Sequence, residues 1–263
     1  MKKLVLLSLA TALVACQSDT KDLNRKMDEM QKDMREMKAM IAKGGGGAGA
    51  AQQQRPQRAE PDRAKVYAVP VEGDPMNGKA DAKVTLVKAY DYACPYCEKV
   101  RDTMDQLKQK YGDDIRIVYK QLVVHPRNAM AGALAFCAAN KQGKALQMDQ
   151  ALWDKGFKQR QFDNSDVAAA EAGGSAAPGG AGKCWDAPEG CKNVVGFAQE
   201  IPGIDINKFK ADMKGECQQI VQKDMADLQK FAVAATPSFF INGRFLSGAM
   251  PIENFTALVD EEL

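Results

Sequence analysis

Histidine is almost missing from this 263-residue chain, His125 being the only one. Without it, without a second CxxC pair, and with the other cysteine spacings at seven residues or more, no usual zinc knuckle can be assembled. His125 stands before Pro126 at the end of a strand-like run and reads as structural rather than catalytic. A charge imbalance is missing too. The formal charge is +2, and Lys2 and Lys3 account for all of it, so nothing points to a nucleic-acid partner or a polybasic membrane patch. Long apolar runs are also lacking. The stretch 4–14 is too short to cross a bilayer and still serve as an anchor.

What stands at that end is a targeting pattern. A charged start and the apolar stretch run into Leu13-Val14-Ala15-Cys16, which resembles the lipobox of bacterial lipoproteins. The resemblance implies a signal peptide over 1–15 and an acylated Cys16 that begins the mature chain. It also implies a periplasm-facing place in a bacterial cell envelope. Gln17 follows with no Asp directly after the cysteine, which favours the outer membrane. The alternative is an ordinary secretory signal with a chance cysteine.

Residues 16–43 read as a lipid-anchored stalk. Leu23, Met27, Met30, Met34, Met37 and Ile41 alternate spacings of four and three, a heptad seam of nearly three repeats. So polar a helix has little to hold it alone, and a homo-oligomer through residues 20–43 is the expectation; a solvated helical spacer is the alternative. Methionine at core positions does not choose between dimer and trimer. Residues 44–65, GGGGAGAAQQQRPQRAEPDRAK, form a linker with an end-to-end reach of about 25 Å if it behaves as a flexible coil.

The globular part occupies 66–263, enough for one sizeable core. Apolar patterning predicts strands at 84–90 and 115–124, parallel if the helix at 95–111 crosses over. Helices follow at 127–139 and 144–157, then an exposed loop over 166–191. A helical face begins at Ile206, Phe209 and Met213 and continues past a break at Gly215. Asn242-Gly243 joins two short strands in a hairpin, and Pro251 opens a last helix. The order predicts an α/β domain with an inserted helical block.

The stretch VTLVKAYDYACPYC places Cys94-Pro95-Tyr96-Cys97 where strand gives way to helix. Pro95 suits the first helical turn, which puts Cys94 at a helix N-terminus, where unpaired N–H groups and the macrodipole lower a thiol pKa. Cys97, one turn on, shares its face and can resolve a mixed disulfide. Far downstream, Ala235-Thr236-Pro237-Ser238-Phe239-Phe240-Ile241-Asn242-Gly243-Arg244 resembles the second signature of the DsbA-like branch of the thioredoxin fold.

Pro70, Gly78, Asp81 and Val84 are similar to that family's approach to its active-site strand. The resemblance implies a thioredoxin-like fold, a cis Thr236-Pro237 bond beside the CxxC, and disulfide exchange without a cofactor. Taken without the CPYC, Thr236-Pro237 reads as a trans turn before a hairpin. As a dock, it would present Thr236 to the backbone of an extended substrate while Cys94 attacks. Exported proteins with thiols or disulfides are then the partners, with a redox partner protein to reset the couple.

Two departures bear on redox tuning. Tyr96 stands where strongly oxidising relatives often have histidine, and CPYC resembles the motif of DsbG-like and ScsC-like proteins. Lys88 stands where many relatives have glutamate; it either faces the thiolate or points outward. Oxidase, reductase and isomerase roles stay open, as does a redox-inactive chaperone or binding lipoprotein. Cys184 and Cys191 flank a short loop and form a disulfide candidate, while Cys137 and Cys217, on apolar helical faces, are either bonded or inert thiols.

Overall fold

The computed structural model describes residues 25–26, 28–29, 31–36, 60–163 and 183–263. The chain divides into two compact units, Met1–Gln57 and Arg58–Leu263. In the first, the described residues are helical and Met34 is exposed. Cys16 and the heptad residues Leu23, Met27, Met30, Met37 and Ile41 lie outside the described residues.

The second unit is built on strand β2 (Val84–Tyr90), the centre of a five-stranded sheet. Its neighbour β3 (Ile115–Gln121) runs parallel to it, and β1 (Met76–Asn77) pairs antiparallel with the outer side of β3. On the other side β4 (Ser238–Ile241) is antiparallel to β2, and β5 (Arg244–Ser247) closes the hairpin. A strand covered on both faces is apolar on both, and β2 is buried at every position except the half-buried Thr85. Val84, Leu86 and Tyr90 enter the larger core, whereas Val87 and Ala89 join Val118, Leu122, Phe240 and Phe245 in a smaller cluster on the opposite face.

The predicted helix at 95–111 is two helices, α1 (Pro95–Lys99) and α2 (Arg101–Tyr111), meeting at Val100. The predicted strand 115–124 ends early, at Gln121, because the N–H groups of Val124 and His125 donate to the buried Asp91 carboxylate (2.6 and 2.7 Å) instead of to a neighbouring strand.

The inserted block is α3 (Pro126–Asn140), α4 (Ala145–Ala151) and a π-helical turn over Leu152–Phe157. After it come α5 (Lys192–Gln199), α6 (Ile206–Lys214) and α7 (Glu216–Lys230). Helix α3 buries ten residues between Ala129 and Ala139, every position there but Met130, and most of them are alanine, which lets its neighbours approach closely on every side. A disulfide joins its Cys137 to Cys217 of α7.

The sequence pattern reads 166–191 as exposed. Residues 164–182 lie outside the described residues, but Cys184, Trp185 and Cys191 beyond them are buried, and Cys184 is bonded to Cys191. Helix α5 has no local cap to announce it; Asp163, thirty residues earlier, accepts from the N–H groups of Asn193 and Val194.

The hairpin turn has Asn242 at φ 44° and Gly243 at φ 85°, the backbone form that matches strand twist in a two-residue loop. A Cβ on Gly243 would stand 2.4 Å from the Tyr67 carbonyl oxygen. The incoming chain is fastened there, with Tyr67 N–H donating to Gly243 O (2.9 Å). Asp62 and Glu60, linker residues by composition, are tied to Tyr67 and Ser247. Helix α8 (Ile252–Glu262) finishes the domain and sets Phe255 edge-to-face against Phe239.

Candidate active site

Strand β2 ends in a tight turn that delivers Cys94 as the N-cap of α1, with Pro95 in the first helical position. Asp91 builds this turn. Its buried carboxylate accepts from Ala93 N (2.7 Å), and its own carbonyl accepts from Cys94 N (3.1 Å). The second carboxylate oxygen takes the Val124 and His125 amides, with His125 Nδ1 3.2 Å away. One side chain thereby locks the cysteine turn to the chain leaving β3. Sequence reasoning missed it, although an aspartate three residues before a helix cap is a usable Asx-turn signal. His125 is a structural partner of Asp91, as its position suggests.

Cys94 and Cys97 are the free cysteines among the described residues. The Cys94 Sγ lies 3.4 Å from the Thr236 carbonyl oxygen, and the Thr236-Pro237 bond is cis. Two segments 142 residues apart in sequence thus meet at one sulfur. Tyr96 and Pro95 face solvent and Cys97 is fully buried.

The two thiols are pushed in opposite directions. Cys94 is held at about 5, well below an ordinary thiol, first by the hydrogen bond with the Cys97 side chain. Thr236 adds to it, as do the Cys97 and Tyr96 backbone groups of the first turn of α1, the contribution expected of a sulfur at a helix N-terminus. Burial drives Cys97 the other way, far above an ordinary thiol, and its bond to Cys94 and the Cys94 charge add to the rise.

Lys88 points inward, on the same face of β2 as Val84, Leu86 and Tyr90, and is 2% exposed. Its ammonium lies 4.9 Å from the centre of the Tyr90 ring, with the Tyr119 and Trp153 rings next nearest. Burial lowers its pKa; the Asp149 and Cys97 charges resist that shift. Asp149 is likewise raised by burial and opposed by Lys88.

Around this pair runs a buried chain of polar groups. Gln121 Nε2 donates to the Tyr90 hydroxyl (2.7 Å), which meets the Tyr92 hydroxyl (2.9 Å). Tyr92 in turn donates to Asp149 Oδ1 (2.8 Å), and Trp153 Nε1 donates to the same oxygen (3.1 Å). Asp149 and Trp153 were not among the expected site residues. Their spacing of four on an otherwise apolar helical stripe was the available signal.

The disulfide candidates stand apart from this centre, as Cys137–Cys217 and Cys184–Cys191 bonds. Among the described residues no three His, Cys, Asp or Glu side chains converge as a metal site. The arrangement offers a low-pKa sulfur, a buried partner thiol behind it and a backbone edge beside it, the components of dithiol–disulfide exchange.

Comparisons with known proteins agree with this geometry. The family model described as Thioredoxin matches residues 71–261. The Na(+)/H(+) antiporter NhaA of Herminiimonas arsenicoxydans is 26% identical over 188 residues, which cover 71% of this chain. The chain spans about a quarter of that relative's length (25%). The crystal structure of BdbD from Bacillus subtilis in its oxidised form superposes with a TM-score of 0.55 at 18% identity, covering 78% of this chain and 96% of BdbD. The catalytic domain of Proteus mirabilis ScsC gives 0.52 at 18% identity, covering 72% and 88%. At these identities the likeness is one of fold.

Proposed function

The chain belongs to the thioredoxin family, and from that premise we propose that it is a thiol–disulfide oxidoreductase acting on exported proteins. Cys94 is the nucleophile, Cys97 the resolving thiol, and Thr236 with Pro237 the substrate dock. The observation that carries the reading is the opposed pair: Cys94 at about 5 beside Thr236, with Cys97 buried behind it and raised.

In the reducing direction the Cys94 thiolate attacks a substrate disulfide, forming a mixed disulfide and expelling one substrate thiolate. Cys97, on losing its proton, attacks the Cys94 sulfur, expels the second substrate thiolate and leaves the Cys94–Cys97 disulfide. Two electrons have passed to the substrate, and the reverse sequence installs a disulfide. Lys88 tunes the second step, since its charge favours the Cys97 thiolate.

The protein works tethered in this reading. Cys16 carries lipid, residues 16–43 form a self-associating stalk, and 44–65 a linker to the domain at 66–263, in the periplasm-facing side of an outer membrane. The lipobox and the Met-rich heptads support that placement, and the Cys137–Cys217 and Cys184–Cys191 bonds support an oxidising compartment.

Reduction of insulin and refolding of scrambled ribonuclease test the activity. The wild-type chain accelerates one or both, and Cys94→Ser abolishes the effect. Equal rates for the two proteins would sink the oxidoreductase reading and favour a redox-inactive chaperone.

A further inference from the structure

One cavity beside the active-site turn takes no part in the exchange chemistry. It encloses about 550 Å³, within the range of sites that hold a small ligand or a side chain. Ala93, the residue before Cys94, forms part of its wall, with Asn128, Phe157, Lys158, Arg160 and Phe162 also lining it.

Its shape is dictated by the backbone. The π-helical turn over Leu152–Phe157 carries Gly156, and the Phe162 ring packs on it so closely that a Cβ there would lie 2.4 Å from Phe162 Cε1. Arg160 sits in the left-handed region at φ 56°, its N–H donating to Phe157 O (3.2 Å). That conformation is uncommon for a long side chain.

The charges around the cavity are unequal. Lys158 is already shared between Asp154 (3.2 Å) and Glu98 (3.6 Å). The exposed Arg160 guanidinium has no carboxylate or carbonyl partner among the described residues, and no acidic residue lines the cavity.

We infer that this cavity is a substrate subsite for an acidic side chain lying within a few residues of the cysteine under exchange, an inference that rests on the oxidoreductase reading above. The carboxylate pairs with the Arg160 fork, the Asn128 amide can donate to it, and the methylene stem lies against Phe157 and Phe162. Because the wall begins one residue before Cys94, a chain docked beside Thr236 needs only a short reach to fill it.

Symmetric disulfides of one short peptide, with Glu, Gln or Lys two residues from the cysteine, supply the test against the full reduced protein in single turnover. Cys94 displaces one peptide thiolate and Cys97 the second, so released thiol reports the rate. Each rate is divided by that peptide's rate with dithiothreitol to remove intrinsic reactivity. The Glu peptide is expected to react about threefold to fivefold faster than the Lys peptide, the scale of a partly exposed ion pair. Arg160→Glu inverts the order, and Asn128→Asp, a change outside the strained turn, lowers the Glu peptide's advantage.

Equal normalised rates, or an order that neither substitution moves, overturns the subsite. If no peptide reacts with a folded protein, the oxidoreductase reading falls and the subsite with it.

Discussion

At Cys94 the sign of the pH dependence follows from its lowered pKa. Between about 5 and the ordinary thiol value near 9 the folded reduced protein carries a thiolate that an unfolded chain would protonate. This stabilisation is fully present above that ordinary value and is lost as pH falls through about 5. It favours the reduced state, and in the proposed reading it is expected to move the couple toward the oxidising side of an unperturbed dithiol.

Lys88 acts on the other sulfur. Its charge holds down Cys97, whereas Cys94 is lowered chiefly by the Cys97 side chain, Thr236 and the Cys97 and Tyr96 backbone groups. Alkylation of wild-type Cys94 is therefore expected to titrate with a midpoint near 5, and Lys88→Met should keep that midpoint while slowing the step in which Cys97 clears the mixed disulfide. Trapped mixed disulfide accumulating in the variant supports this assignment; a moved Cys94 midpoint with unchanged resolution overturns it. The inward direction of Lys88 was not legible beforehand, because β2 is apolar on both faces and alternation cannot tell which side holds a buried cation.

At the scale of elements, the two disulfides are unequal in what they hold. Cys137–Cys217 fastens α3 to α7 across 80 residues, whereas Cys184–Cys191 closes a separation of only 7. On chain-entropy grounds the long closure contributes about 4.5 kcal/mol and the short one about 2.5 kcal/mol. Denaturant unfolding should show the larger loss for Cys137→Ser with Cys217→Ser, and a reversed order would mean that local packing around Trp185 outweighs loop closure.

The elements themselves were legible wherever the signal was local. The 84–90 strand, the break at Gly215 and the Asn242-Gly243 hairpin carry their own periodicity and turn chemistry, and each stands where expected. The misses share a cause: β3 ends at Gln121 because of Asp91, and α5 starts on Asp163, each a carboxylate supplied by a part of the chain distant in sequence. Val100 divides the helix after the CPYC without any glycine or proline to mark it.

For the whole molecule, the entering chain is held along one edge of the sheet. Ala89 of β2 pairs with Ser238 and Leu86 with Ile241, so the Asn242-Gly243 turn lies at the end of the sheet away from Cys94. Tyr67 is fastened at that turn. Glu60, seven residues earlier, accepts from Ser247, whose partner Ser238 pairs with Ala89 near the Cys94 end. The entering chain thus runs along the outer edge of β5 from the active-site end to the turn. If the heptads of 20–43 self-associate as their pattern predicts, several active sites held together would suit reshuffling wrong disulfides, whereas a lone domain suits oxidation by a partner.

The heptad residues of 20–43 predict that the chain from residue 17 onward sediments as an oligomer and that residues 58–263 sediment as a monomer. If oligomerisation serves isomerisation, scrambled ribonuclease should regain activity faster with the oligomer than with the same concentration of monomeric active sites, while insulin reduction per active site stays equal. Monomeric sedimentation of both forms would remove the stalk's part in assembly. An oligomer without a refolding advantage would leave the stalk as a spacer between anchor and catalyst.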